Sequence, residues 1–257
     1  MIAALPMYAR AENRAAHDAF WALVRDELRA VGHAAPDTLD HDIDHIVSWQ
    51  HPALTLGMIC NLPYRAQFRG RVTLVGAADY GLDGVASGYY HSVFLVRADD
   101  PVQSPDKARN HRFAYNDALS QSGWGAPQLW AQARGFAFAP HLETGAHLAS
   151  ARAVLSGKAD LAALDAVTWR DLQRWEPDMT GLRVIGHSDP SPALTFITAR
   201  DNDPAPLRAA ISAAIDALPQ PHREVLGLRG IVQLQESAYN LPLPPLVAGD
   251  LPLTSGH

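Results

Sequence analysis

The chain has a single cysteine, Cys60, so it can form no intramolecular disulfide. It has no apolar run long enough to span a bilayer as a helix. It has no basic patch either: Lys and Arg are dispersed and the formal net charge is −6, which excludes nucleic acid as an expected partner. The N-terminal stretch Met1–Tyr8 lacks a basic n-region and a long apolar h-region, so it does not read as a signal peptide. The expectation from this is either a cytoplasmic chain or one whose signal was trimmed or lost from the gene model. There is no internal repeat. No Gly-x-Ser-x-Gly elbow surrounds Ser120, which speaks against a serine hydrolase.

What the chain does have is enough length, 257 residues, to bury a sizeable core. Hydrophobic residues make up 47% and charged residues 19%, as in an ordinary globular protein. Short apolar runs alternate with helical patterns. Ile2 to Leu5, Leu54 to Cys60, Arg71 to Ala77 and Tyr89 to Val96 read as strands. So do Phe136 to Pro140, Ala159 to Leu164, Leu182 to Ile185 and Leu194 to Thr198. An amphipathic helix presents Ala16, Phe20, Leu23, Glu27, Leu28 and Val31, and Gly32 stops it. Further helices are read over Gln128 to Arg134, Leu148 to Leu155, Ala166 to Trp175 and Pro206 to Leu218, with a short one opening at Ser104. The proline-rich end from Leu241 is expected to pack loosely.

This alternation predicts an α/β fold. Polar, proline-stopped breaks at Arg97–Pro101 and His187–Pro192 bracket a middle segment with its own βαβ pattern. The expected organisation is one discontinuous lobe, 1–97 with 191–257, and a second lobe, 98–190, joined by two crossover strands. Asp40 to His45 resembles a metal motif. Pro36 before it and Ile46–Val47 after it predict instead a loop running into a strand, so no metal and no cofactor is expected. Trp49 to Pro52 reads as a turn.

The stretch Tyr115 to Gly125 is the main functional candidate. It should be a polar loop between a strand and a helix start. The first turn of a helix holds backbone N–H groups without intrahelical acceptors, which favour an anion. Ser120 and Ser122 add hydroxyls, and Gly123 admits a ligand close to the backbone. Asn116 or Ser120 acting only as a helix cap is the competing reading. Tyr8, Tyr64 and Asp165 also follow strands, at the sheet edge where α/β proteins bind ligands. Tyr90 and Ser92 lie near the first break, and His147 opens a helix. If two lobes face one another, these residues converge on the cleft between them. Trp124, Trp130 and Trp169 are read as core packing.

The ordered set Leu5-Pro6-Met7-Tyr8, Tyr90-x-Ser92, Asn116 through Ser120-x-Ser122-Gly123, Thr144-Gly145-x-His147 and Gly157 to Asp165 resembles a known family. These are the phosphate, phosphite and phosphonate-binding proteins of ABC importers, of the type 2 periplasmic-binding fold, and the likeness runs over roughly residues 2 to 240. It implies a non-catalytic monomer that clamps a small oxyanion between two lobes and hands it to an ABC permease, in the periplasm. It also implies that Ser120, Gln121 and Ser122 hold the oxyanion, that His147 reaches it, that Asp165 is a ligand-contacting acid and that Tyr90 is a cleft tyrosine. Gln121 stands where the family carries a hydroxyl. Two alternatives use the same fold: a cytoplasmic dehydratase or synthase of the menaquinone route, with Ser120, His147 and Asp165 as nucleophile, base and orienter, and a binder of a thiamin-precursor pyrimidine.

Overall fold

The computed structural model describes residues 1–245. The chain divides into two compact units, Met1–Tyr90 with Ser191–Leu241, and His91–Pro190 with Pro242–Pro245. Residues 246–257, the greater part of the proline-rich end, lie outside the described residues.

The first unit begins with strand β1 (Ile2–Ala3), helices α1 (Arg14–Ala30) and α2 (His45–Gln50), and strand β2 (Leu54–Ile59). A single turn, α3 (Asn61–Pro63), leads through a π-helical turn, Tyr64–Phe68, to β3 (Val72–Asp79) and β4 (Tyr89–Tyr90). The second unit follows. It holds β5 (Ser92–Arg97), β6 (Phe113–Tyr115), a π-helical turn Gln121–Gly125 with α4 (Ala126–Gln132), and β7 (Pro140–Glu143). It continues with α5 (His147–Leu155), β8 (Leu161–Asp165), α6 (Ala166–Trp175) and β9 (Leu182–His187). The chain then returns to the first unit with β10 (Ser191–Pro192), β11 (Thr195–Ala199), α7 (Pro204–Ala217), α8 (Gln220–Leu226) and β12 (Gly230–Val232).

Each unit is built on a five-stranded mixed sheet, β1-β2-β11-β3-β12 in the first and β7-β6-β8-β5-β9 in the second. In the first, β2 runs parallel to β1 and antiparallel to β11. In the second, β8 lies between β6, parallel, and β5, antiparallel. A strand flanked on both edges and covered on both faces must be apolar throughout, and Leu161 to Leu164 are all fully buried. The sheet ends at Asp165, where the chain turns into α6.

α1 packs on α7. Its buried stripe is Ala16, His17, Phe20, Trp21, Val24 and Leu28. The expected stripe was rotated by part of a turn: Glu27 and Val31 are exposed. His17 and Trp21 occupy the inward positions instead, because α1 presents the large Trp21 ring to the core. The α7 stripe is as expected, with Leu207, Ile211, Ile215 and Leu218 buried. Full burial of each such side chain stabilises by about 1.5–3 kcal/mol.

Several local expectations are corrected. Ile46–Val47 do not enter a strand: they sit in α2, whose first amides, of Ile46 and Val47, donate to the Asp44 carboxylate at 2.8 and 3.2 Å. The helix replaces the expected turn at Trp49, whose Nε1–H donates to the Met58 carbonyl at 2.8 Å. Phe136 to Phe138 form no strand. The Gln128 side chain instead takes both backbone groups of Phe138, donating to its carbonyl at 2.7 Å and accepting from its N–H at 3.2 Å. The rings then pack with Phe94, Phe113 and Trp130 in the second core. Ser104 opens a turn, not a helix. β4 and β5 are interrupted at His91, and Arg97–Pro101 follows β5 inside the second unit. The expected boundary at residue 97 therefore falls at the far end of β5, whereas the chain passes between units at Tyr90–His91.

Candidate functional site

The second unit gathers most of the expected site residues around one turn. β6 ends at Tyr115, and the chain reverses through Asp117, whose carboxylate accepts from Leu119 N–H and whose carbonyl accepts from Ser120 N–H. This short-range bonding ends the strand and sets Ser120 in extended backbone as the cap of the next turn. Ser120 Oγ accepts from Gly123 N–H at 3.0 Å, and its carbonyl accepts from Trp124 and Gly125 N–H. The Ser122 amide, near the start of the turn, has no acceptor inside it. Ser120 is the cap, and the amides of Gln121 and Ser122 form the first positions of the turn it caps.

Gly123 is required sterically. A Cβ at this position would stand 1.8 Å from Asn116 Oδ1. The Asn116 side chain thus lies directly over the turn, its Oδ1 buried and with no hydrogen-bond partner among the described residues. Its carbonyl accepts from Gly145 N–H at 2.9 Å, and Thr144 N–H and Oγ–H donate to the Tyr115 carbonyl. These bonds hold the 144–146 loop against the end of β6 and fix where α5 begins.

α5 begins with His147, whose Nε2 lies 2.9 Å from Ser122 Oγ and 3.4 Å from Asp165 Oδ2. Burial lowers the His147 pKa below its ordinary value, against an opposing pull from Asp165. Asp165 caps α6: its carboxylate accepts Thr168 N–H at 2.8 Å and Thr168 Oγ–H at 2.5 Å. Ser92 Oγ–H donates to the Ser122 carbonyl at 2.9 Å, and Ser188 Oγ accepts from Ser92 N–H at 2.9 Å. Ser92 therefore fastens the turn to β5 with its hydroxyl. Gln121 is buried in the same turn.

Thr168 and Ser188 were not among the expected site residues. A threonine three positions after a capping aspartate is a legible signal, since it can bond back to the cap. Ser188 lay inside the polar break at His187–Pro192 and carried no such spacing. A tilted ring pair, His91 and His187 with centroids 4.4 Å apart, also escaped notice. Burial, then the neighbouring His187, lowers the His91 pKa, with Asp165 acting the other way.

The three tyrosines belong to the first unit. Tyr8 ends a 3-10 turn, its ring edge-on to Tyr80 at 5.4 Å and its carbonyl accepting from Asn13 Nδ2. Tyr64 is packed in the first unit's core, edge-on to Tyr239 at 5.5 Å, and burial raises its pKa. Tyr90 is buried in β4, opposite Ser191. Trp124, Trp130 and Trp169 are buried, and the first two sit in the second unit's core.

The arrangement is ill-suited to covalent catalysis. A nucleophile–base–orienter relay needs the hydroxyl on one ring nitrogen and the carboxylate on the other. Here Ser122 and Asp165 both approach Nε2, and Ser120, the nucleophile of the enzyme alternative, bonds Gly123 N–H.

Residues 50–239 match the family described as ABC transporter, phosphonate, periplasmic substrate-binding protein. The chain belongs to this family. Its members are substrate-binding components of transporters, so the family's role is to capture a solute rather than transform it, with an ABC permease as partner. Similar solved structures share the periplasmic-binding fold. PhnD1 from Prochlorococcus marinus in complex with methylphosphonate is 16% identical, covering 93% of this chain and 94% of its own, with a TM-score of 0.67. A binding protein component of an ABC phosphonate transporter from Pseudomonas aeruginosa, PA3383, is 14% identical, covering 93% of this chain and 82% of its own, with a TM-score of 0.62. XAC2383 from Xanthomonas citri, bound to ATP, is 19% identical over 92% of each chain, with a TM-score of 0.67. No curated protein matches the chain. Among the described residues, no helix is long and apolar enough to cross a membrane.

Proposed function

We propose that this chain captures a small phosphonate-type oxyanion in the periplasm and delivers it, as a monomer, to an ABC permease. The observation that carries this reading is the pairing of Ser122 with His147 at the start of the Gln121–Gly125 turn. One backbone amide, hydroxyls from Ser120 and Ser122, the Asn116 amide and one imidazole surround that turn. A tetrahedral oxyanion needs several converging donors, and the amides and hydroxyls supply them without a buried Lys or Arg, with the imidazole beside them. The net negative charge of the chain does not oppose this, because donors in contact with an anion outweigh the distant mean field. Asp165 acts in this set through His147.

Isothermal titration with methylphosphonate, aminoethylphosphonate, phosphite, phosphate and a thiamin-precursor pyrimidine tests the proposal. At least one phosphorus oxyanion is expected to bind, and Ser122→Ala should weaken it by about tenfold or more, the scale of one charge-assisted hydrogen bond. Tight binding of the pyrimidine, with no response to any oxyanion, would overturn it.

A further inference from the structure

Both polar contacts of His147 fall on one ring nitrogen. Nε2 lies near Ser122 Oγ and Asp165 Oδ2, while Nδ1 is buried and has no hydrogen-bond partner among the described residues. A neutral imidazole donates from one nitrogen and accepts at the other, and its surroundings choose which. Asp165 makes that choice here. Its carboxylate is buried, already receives two hydrogen bonds from Thr168, and stays close to Nε2. A lone pair on Nε2 would face that carboxylate across a dry gap, whereas an N–H there is attracted to it. The hydrogen therefore sits on Nε2. Ser122 Oγ can then accept from it and direct its own hydrogen at a ligand.

Few other charges compete. The first turn of α5 has no acidic residue, and Arg152, in its last turn, pairs with Glu176 and Asp178. From β9 and the start of β5 come His187 and His91; His91 faces Asp165 and is itself held toward the neutral form by burial.

We infer that Asp165 is a positioning residue that locks His147 in the Nε2–H tautomer, so that the neutral imidazole offers an acceptor at Nδ1 and the site selects an oxyanion carrying its own proton, a hydrogen phosphonate or hydrogen phosphate, over an aprotic sulfonate. This rests on the proposal that His147 faces the bound anion. Protonation of the ring places a hydrogen on Nδ1 as well, and the preference then fades.

Two measurements on the full chain test it. Nitrogen-15 imidazole spectra without ligand at about pH 7, where an unshifted histidine is already mostly neutral, should show His147 as the Nε2–H tautomer. The signal is assigned by its loss in His147→Gln. Asp165→Asn, which keeps a helix cap, should shift the population toward Nδ1–H. Titration calorimetry then compares methylphosphonate with methanesulfonate. At about pH 7 the phosphonate should bind at least about tenfold tighter, the scale of one hydrogen bond, and Asp165→Asn should narrow that ratio. Raising the pH to about 9 should weaken methylphosphonate as its protonated form is depleted. An Nδ1–H tautomer in the native chain overturns the lock. Equal binding of the two anions at about pH 7, unchanged by Asp165→Asn, overturns the selectivity. Failure of both anions to bind at any pH overturns the selectivity, while the ligand-free tautomer still decides the lock, and the functional proposal falls only if no phosphorus oxyanion binds.

Discussion

Replacing His17 with leucine is expected to make the first unit less sensitive to acid. The imidazole is buried on the inward face of α1, and burial, followed by the nearby His41, brings its pKa from 6.5 down to about 4. Asp18 and a hydrogen bond to the Asn13 backbone pull weakly the other way. Between those two values the unfolded chain takes up a proton that the folded chain refuses. Stability is therefore full above the unfolded pKa and falls as the pH drops toward the folded one. Over the whole interval the loss amounts to about 3 kcal/mol, of which about 2 kcal/mol falls between about pH 8 and about pH 5. Urea unfolding at a series of pH values, followed by hydrogen exchange of the α1 amides, reads this unit by itself. Subtracting the variant's profile removes contributions that the two chains share, including those of His91 and His147 in the second unit. The native curve should fall more steeply with acid by about 2 kcal/mol over that range. Parallel curves would refute the argument. The effect also sets a condition on the binding experiments: at low pH, affinity must be read by calorimetry on folded protein, since a thermal shift would mix binding with this loss.

Other consequences can be checked one variant at a time. Gly123→Ala would drive its methyl group into Asn116 Oδ1, from which the new Cβ would stand 1.8 Å. The amide should swing away, and calorimetry should show oxyanion affinity falling by about tenfold, the value of one hydrogen bond, with the fold intact by circular dichroism. Asp165→Ala removes the acceptor for Thr168 N–H and should cost about 1 kcal/mol or more in urea unfolding, whereas Asp165→Asn should cost less because asparagine also caps. Trp49→Phe leaves the Met58 carbonyl buried without its donor and should cost about 1–3 kcal/mol in the same assay.

The architecture was readable where burial alone decides conformation. Leu54 to Ile59 is apolar but for Thr55, and Leu161 to Leu164 is apolar at every position, as suits strands covered on both faces. Ala166 to Trp175 was legible because Asp165 supplies a cap at its start. What misled were places where a side chain takes over a backbone role. Phe136 to Phe138 has strand composition, but Gln128 satisfies Phe138 from within a helix, and no neighbouring residue reveals that. At His45–Gln50, β-branched Ile46 and Val47 suggested a strand, while the capping of two amides by Asp44 favoured a helix; local capping outweighed propensity. In α1, a stripe chosen by apolar character admitted Val31 and passed over His17, because a buried neutral histidine looks polar in sequence.

The site was legible as a turn with hydroxyls. The Ser120-x-Ser122-Gly123 spacing marks a helix start, and a close approach at Gly123 follows from the absence of a side chain. The division of labour within it was not. Ser120 spends its hydroxyl on Gly123 N–H, Ser92 spends its own on the Ser122 carbonyl, and Ser122 is the one that meets His147. That sorting depends on contacts among residues 92, 122, 147 and 165, which only the order of strands in the second sheet brings together.

The measurement that bears most directly on the central claim is a crystal structure of the chain grown with methylphosphonate. The account predicts a phosphonate oxygen within hydrogen-bonding distance of the Ser122 amide or hydroxyl, with another facing His147 Nδ1. A phosphonate bound elsewhere, with the Gln121–Gly125 turn untouched, would contradict it.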